Sequence, residues 1–196
     1  MRIALIRHGP TEWNAQKRVQ GRIDMPLSAE GRAKMARLLP PESFETARPF
    51  CSPLLRARQT AALLGLESPA LDARLAEQNW GEWEGLTRAE MLARDGADAF
   101  ERAGRGLSFR PPGGGSTGEL QARVVSFLAD AAKLPQDAIA VTHMGVLRSA
   151  YALATGWDMS TPMPEELDLA AALVLSLDSN GTPAIADLNA PLRARA

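Results

Sequence analysis

Two histidines, His8 and His143, are the residues of this chain whose placement first indicates chemistry. Each follows an apolar run, IALI at 3–6 and IAV at 139–141, and a glycine comes directly after His8 and two residues after His143. Short apolar runs of this kind are typical of buried strands, and open α/β sheets bind ligands at the carboxyl ends of their strands. A lone histidine is more often structural, but two in equivalent places favour a functional site. A neutral imidazole is a competent nucleophile near pH 7.

Arginines accompany the histidines and suit the binding of anions. Arg7 directly precedes the first histidine, and Arg56 lies on the first turn of a helix that Ser52-Pro53 is predicted to open, with serine as the N-cap. Guanidinium forks hold phosphate or carboxylate oxygens bidentately, and a helix N-terminus also favours anions. Arg58 is about 200° around the helix from Arg56, so it is expected to point elsewhere.

The elements that must position these residues alternate between strand and helix. Strands are predicted at 2–6, 50–51 and 138–141, with a closing hairpin of 171–177 and 184–188 around Ser179-Asn180-Gly181. Helices are predicted from Ser28 to about Leu39, from Ser52 to Gly65, over 88–94, from Ser116 to about Lys133, and ending at Gly156. This alternation predicts α/β layers with a mixed sheet.

Composition limits the class of protein. The 196 residues are expected to form one domain, 1–196, and the net charge of −1 excludes a bulk attraction to nucleic acid or membrane. The single cysteine, Cys51, rules out an internal disulfide and is expected to be a buried, inert thiol. We expect no metal and no cofactor, since the chain has too few histidines and cysteines for a metal cluster. The sequence has no apolar run long enough for a signal peptide or a membrane span, which predicts a cytoplasmic location.

Four separated segments resemble, in order, the histidine phosphatase superfamily, the phosphoglycerate mutase-like proteins. They are 5–9 (LIRHG) with Thr11, Trp13, Asn14, Gln20, Gly21, Asp24, Pro26, Leu27, Ser28 and Gly31; 52–61 (SPLLRARQTA); 77–85 (EQNWGEWEG); and 142–148 (THMGVLR). One such segment alone would be a weak signal, whereas the ordered set is specific. A fifth stretch, 111–116 (PPGGGS), resembles a segment of phosphatases such as the α-ribazole phosphatase group, with Gly115 in place of a glutamate.

The resemblance implies a fold and a set of roles. The fold is a three-layer α/β/α sandwich with a mixed, mostly parallel sheet. His8 would be the nucleophile, Glu77 the proton donor, and His143 a stabiliser of transition-state charge. The residues implied to bind phosphate are Arg7, Arg56, His143, Asn14, Thr11, Gln20 and Gly21.

Several alternatives remain open at the level of sequence. Glu82 and Glu84 compete with Glu77, which only the resemblance selects. Trp13, Trp80 and Trp83 could line a pocket or pack in the core, and Arg148 is interpreted as a structural partner on its helix. Met144 and Pro10 depart from residues that are common in the family.

The stretch 87–115 is predicted to be a lid or insertion, because a short helix is followed there by Gly- and Arg-rich sequence. It lacks the Arg-Arg pair that holds phosphoglycerate in true mutases, which favours hydrolysis.

We therefore predict metal-independent hydrolysis of a small phosphomonoester through phospho-His8. The alternatives are a cofactor-dependent phosphoglycerate mutase and a non-catalytic phospholigand-binding module. The sequence leaves the substrate and the oligomeric state open.

Overall fold

A six-stranded sheet forms the middle layer of the computed structural model, which describes residues 1–195. Its strands are β1 (Arg2–Arg7), β3 (Arg48–Cys51), β4 (Ala70–Leu71), β5 (Ala138–Thr142), β6 (Ala171–Leu177) and β7 (Pro183–Pro191); β2 (Leu38–Leu39) and β8 (Arg193–Ala194) form a separate pair. The order is β4-β3-β5-β1-β6-β7, with the first four strands parallel and the last two antiparallel to their neighbours. The mixed, mostly parallel sheet is as predicted.

Helices cover both faces of this sheet. They are α1 (Glu12–Ala15), α2 (Ala29–Ala36), α3 (Leu55–Leu63), α4 (Arg88–Asp95), α5 (Ala99–Arg102), α6 (Thr117–Ala131) and α7 (Met144–Thr155). Alternate residues of β1 point to opposite faces: Ile3 and Leu5 pack in the core cluster with α6 and α7, while Ala4 and Ile6 pack in the cluster with α2 and α3. Two apolar cores on one sheet confirm the three-layer α/β/α sandwich.

Strand register brings the two histidines together. In the parallel pair of β1 and β5, Arg7 lies opposite Thr142, so the next residue of each strand is a histidine. The backbone N–H of His8 donates to the carbonyl of Thr142 at 2.9 Å, which continues the ladder one step further. The carboxyl ends of β1 and β5 therefore lie together at one edge of the sheet, as predicted.

Two predicted helix boundaries are wrong. The helix that Ser28 caps ends at Ala36 rather than near Leu39, because Leu38–Leu39 pairs with β8 and the following Pro40-Pro41 favours extended backbone. The second helix begins at Leu55 rather than at Pro53, and Ser52 is not its cap. The Leu55 N–H instead donates to Asp24 Oδ1 at 2.5 Å, so a carboxylate distant in sequence caps α3.

The segment 87–115 carries α4, α5 and a 3-10 turn at Gly106–Ser108. It packs its own small cluster, in which Met91, Ala99 and Ala103 surround the fully buried Trp83. The Trp83 indole N–H donates to Asp95 Oδ2 at 2.5 Å. Of the two readings left open for Trp83, the structure confirms core packing. None of the helices in residues 1–195 has the length and apolar character needed to cross a bilayer.

Candidate active site

His8 lies at the end of β1, and only 6% of its surface is exposed. Its Nδ1 atom is 2.8 Å from the Gly9 carbonyl oxygen. A carbonyl can only accept, so Nδ1 must carry a hydrogen, and in the neutral imidazole Nε2 then keeps its lone pair. The imidazole is thus fixed in the tautomer that a nucleophile attacking through Nε2 requires. The adjacent Gly9 N–H donates to the Thr60 hydroxyl at 2.9 Å and holds the loop in place.

His143 is fully buried beside it, with the two ring centroids 5.1 Å apart. Its Nε2 atom lies 2.7 Å from the Ser52 hydroxyl oxygen, whereas its Nδ1 atom is buried and has no hydrogen-bond partner in the described part of the chain. Ser52 was not predicted as a site residue. The sequence contains no signal for this contact, because the two residues are 91 positions apart and meet only through the pairing of β3 with β5.

Arg56 supplies a buried positive charge. Its side chain is fully buried, and its terminal nitrogens donate to the carbonyls of Ile23 at 2.9 Å and Gly21 at 2.8 Å. The Nε atoms of Arg56 and Arg7 are also buried, and neither has a hydrogen-bond partner among the residues that the structure describes. Within residues 1–195 neither arginine forms an ion pair with a carboxylate. Buried cations without a counter-ion are costly, so the arrangement favours a bound anion. Arg58, which was expected to point elsewhere, is exposed.

The remaining predicted phosphate residues have different surroundings. Asn14 Oδ1 accepts from the backbone N–H and hydroxyl of Thr11 at 3.0 and 3.1 Å, so its amide NH₂ is left to donate into a cavity of about 290 Å³ that Arg7 and His8 also line. Thr11 is buried and caps α1. Gln20 is buried, and its Oε1 accepts no hydrogen bond from any of residues 1–195. Gly21 contributes the carbonyl that holds Arg56, and with φ of 51° a Cβ there would overlap the Glu84 carboxylate.

The three candidate glutamates occupy different environments. Glu84 accepts from the backbone N–H groups of Arg22, Ile23 and Trp80, so its carboxylate organises the surrounding loops. Glu82 is exposed and faces Arg94 at 3.4 Å. The Glu77 carboxylate lies against the start of α7.

Glu77 is held by backbone donors at both oxygens. Its Oε1 accepts from Gln78 N–H at 2.8 Å and its Oε2 from Gly145 N–H at 3.2 Å. A Cβ at Gly145 would overlap Oε1, so glycine is required for this approach. Each oxygen keeps a lone pair for a proton.

A larger cavity, of about 700 Å³, is lined by Glu77 and shares no lining residue with the smaller one. Its walls come from the segment 87–115, from α7 and from the loop after it. Arg148 packs its guanidinium over Trp157 at 5.2 Å, which fits its predicted structural role, and it also lines this cavity. Trp80 lines the cavity as well.

Burial controls the charge state of the imidazoles. Burial, followed by the positive charges of Arg56 and then Arg7, lowers the pKa of His8 from 6.5 to about 3. Burial first, and then the neighbouring His8, lowers the pKa of His143 well below 6.5. Both rings are therefore neutral at pH 7. Burial also raises the pKa of the Cys51 thiol to about 12, which agrees with the inert thiol expected from the sequence.

Lowering the pH should destabilise the protein through His8. Between pH 6.5 and about 3 the unfolded chain binds a proton at this position that the folded chain excludes, so the free energy of unfolding should fall as the pH drops below 6.5. At pH 5 this loss is about 2 kcal/mol. Urea unfolding of wild type and His8→Asn at pH 7.5 and 5.0 in phosphate-free buffer measures it. The variant should lose less stability than wild type; equal losses in the two proteins would contradict the assignment.

Comparison with known proteins identifies the family to which this chain belongs. The family model of the histidine phosphatase superfamily (branch 1) matches residues 3–191. The 2,3-bisphosphoglycerate-dependent phosphoglycerate mutase of Methylobacterium radiotolerans is 30% identical, over 93% of this chain and 92% of that protein. Phosphoglycerate mutase 2 of Gloeobacter violaceus, also 2,3-bisphosphoglycerate-dependent, is 33% identical, but the match spans only 60% of that protein's length.

Solved structures agree in fold. A mycobacterial glucosyl-3-phosphoglycerate phosphatase in complex with VO3 superposes with a TM-score of 0.79 at 27% identity, covering 96% of this chain and 98% of that one. YhfR of Bacillus stearothermophilus has a TM-score of 0.80 at 26% identity, covering 94% and 95%. Since the family model and a relative both cover nearly the whole chain, this protein belongs to the histidine phosphatase superfamily and is a phosphoglycerate mutase-like enzyme.

Proposed function

We propose that the protein hydrolyses small phosphomonoesters through a phosphohistidine formed on His8. The observation that carries this proposal is the neutral His8 imidazole, with its Nδ1 atom hydrogen-bonded to a backbone carbonyl, beside the buried Arg56 and the half-buried Arg7, which have no carboxylate partner within residues 1–195. A binding module would need the arginines, but it would not need a nucleophile in a fixed tautomer with the carboxylate of Glu77 close by.

The first half-reaction transfers the phosphoryl group to the enzyme. His8 Nε2 attacks phosphorus, the bond from phosphorus to the ester oxygen breaks, and the carboxyl group of Glu77 gives its proton to the departing alkoxide. Arg7, Arg56 and the amide of Asn14 hold the phosphoryl oxygens. With the Ser52 hydroxyl donating to its Nε2, the buried Nδ1 of His143 carries a hydrogen and donates to the same oxygens.

The second half-reaction restores the enzyme. The carboxylate of Glu77 takes a proton from a water molecule, the hydroxide oxygen bonds to phosphorus, and the N–P bond to His8 breaks. Inorganic phosphate leaves, His8 is neutral again, and Glu77 is protonated for the next turnover. One carboxyl group thus acts as the acid and then as the base.

A mutase is the second candidate, and the Methylobacterium relative favours it. In that reaction the phosphohistidine is returned to a bound phosphoglycerate instead of to water. Against it, the segment 87–115 lacks an Arg-Arg pair like the one that holds phosphoglycerate in true mutases. The two activities share the first half-reaction and differ in the acceptor.

Phosphate release from nitrophenyl phosphate and from phosphoglycerates tests the proposal. We expect turnover to continue in excess chelator, since arginine and histidine supply the positive charge, and we expect vanadate to inhibit competitively. Metal independence remains a prediction. Loss of turnover in chelator with recovery on adding magnesium or zinc would contradict the mechanism, and isomerisation of phosphoglycerate without phosphate release would favour the mutase.

A further inference from the structure

The cavity of about 700 Å³ is lined by aromatic and arginine side chains that have no role in the proposed hydrolysis. Its volume is that of a site for a ring-sized small molecule. Trp80, Phe100 and Phe109 line it, and Trp80 meets Phe109 edge to face with centroids 5.4 Å apart. Aromatic side chains in this arrangement provide surfaces on which a flat ring can pack. The walls therefore suit a substrate with a cyclic group.

Three arginines line the same cavity. They are Arg88, Arg105 and Arg148, and none forms an ion pair within residues 1–195. Arg88 lies over the ring of Phe100 at 4.1 Å, and the buried Nε of Arg148 has no hydrogen-bond partner within the same described range. The acidic residues on the cavity wall are Glu77, which the reaction uses, and Glu101.

Other arginines of the segment 87–115 provide an internal comparison. Arg94 pairs with Asp95, Arg102 with Asp98, and Arg110 with Glu119. These three do not line the cavity. Within residues 1–195 the two arginines of the segment that form no ion pair, Arg88 and Arg105, are therefore those that line the cavity, where both are also exposed to solvent. This distribution favours an anionic ligand inside the cavity.

Glu77 lines the cavity and is also the proton donor of the proposed reaction. A proton donor must face the ester oxygen that leaves, so the alcohol part of the substrate extends towards Glu77, and the cavity begins there. We propose that this cavity is the leaving-group site, and that it selects phosphomonoesters whose alcohol combines a ring with a second anionic group, a carboxylate or a phosphate. This inference rests on the proposed hydrolase function.

Matched probes test the selection. The substrates are 4-(2-carboxyethyl)phenyl phosphate, its methyl ester and the 2-phosphonoethyl analogue, whose leaving phenols have similar basicity. We expect wild type to prefer either acid over the ester by about 10- to 100-fold in kcat/KM, the range for a charge-assisted contact. The ratio between the two acids identifies the preferred anion. The double variant R88M/R105M should bring the acid-to-ester ratio close to 1.

The matched control is Arg102→Met, a change on the same segment to an arginine that is already paired with Asp98 and lies outside the cavity. It should keep both the activity and the acid-to-ester ratio of wild type. A wild-type ratio near 1, or a ratio that R88M/R105M leaves unchanged, would overturn the inference while hydrolysis of nitrophenyl phosphate still supported the proposed function. No phosphate release from any ester, nitrophenyl phosphate included, would overturn both.

Discussion

Replacing His8 with Asn should reduce turnover of every phosphomonoester to background, a loss of about 10⁴-fold or more. The variant lacks the atom that attacks phosphorus, so no leaving group, however good, can restore the reaction. Asparagine is close in size and can donate to the Gly9 carbonyl through its amide, as the Nδ1–H of His8 does. The measurement is phosphate release from an alkyl and a nitrophenyl phosphate.

Anion binding separates this loss from misfolding. The positive charges of Arg7 and Arg56 remain in His8→Asn, so the variant should still bind inorganic phosphate or vanadate by calorimetry. Binding without turnover is the expected result. Residual turnover above background with nitrophenyl phosphate would mean that another group, or water directly, attacks phosphorus, and the phosphohistidine mechanism would then be wrong.

Replacing Glu77 with Gln should produce a loss that depends on the leaving group. An alkyl phosphate expels a strongly basic alkoxide that needs a proton, so its turnover should fall by about 10²- to 10⁴-fold. A nitrophenyl phosphate expels a stable phenolate, so phosphorylation of His8 should continue with little change. Hydrolysis of phospho-His8 would still lack its base. Rapid-quench kinetics on nitrophenyl phosphate should therefore show a burst of nitrophenol followed by a slow phase.

Glu82→Gln is the matched control for Glu77→Gln. Glu82 belongs to the same sequence motif, but its side chain is exposed beside Arg94, so its variant should behave as wild type on both substrates. Equal damage by Glu77→Gln on the alkyl and nitrophenyl esters, with no burst, would remove Glu77 from the role of acid. Glu84 is a poor control because its carboxylate holds three backbone N–H groups.

Local signals in the sequence predicted most of the secondary structure. Apolar runs marked β1 and β5, and β6 was predicted with its observed bounds, Ala171–Leu177. Ser116 caps α6 through a reciprocal bond with Glu119, and Gly156, with φ of 76°, ends α7. Such signals act within a few residues, which is why they can be read from the chain alone. The order of motifs also indicated the family.

Only the tertiary structure decided which residues meet. His8 and His143 are 135 positions apart in sequence, and they lie together because the register of β1 and β5 aligns the residues before them. Ser52 was predicted to cap a helix, yet its hydroxyl contacts His143. The environments of the three glutamates and the unpaired arginines of the large cavity likewise depend on long-range packing. The preferences of neighbouring residues cannot predict these contacts, because strand register and the packing of layers depend on the whole chain.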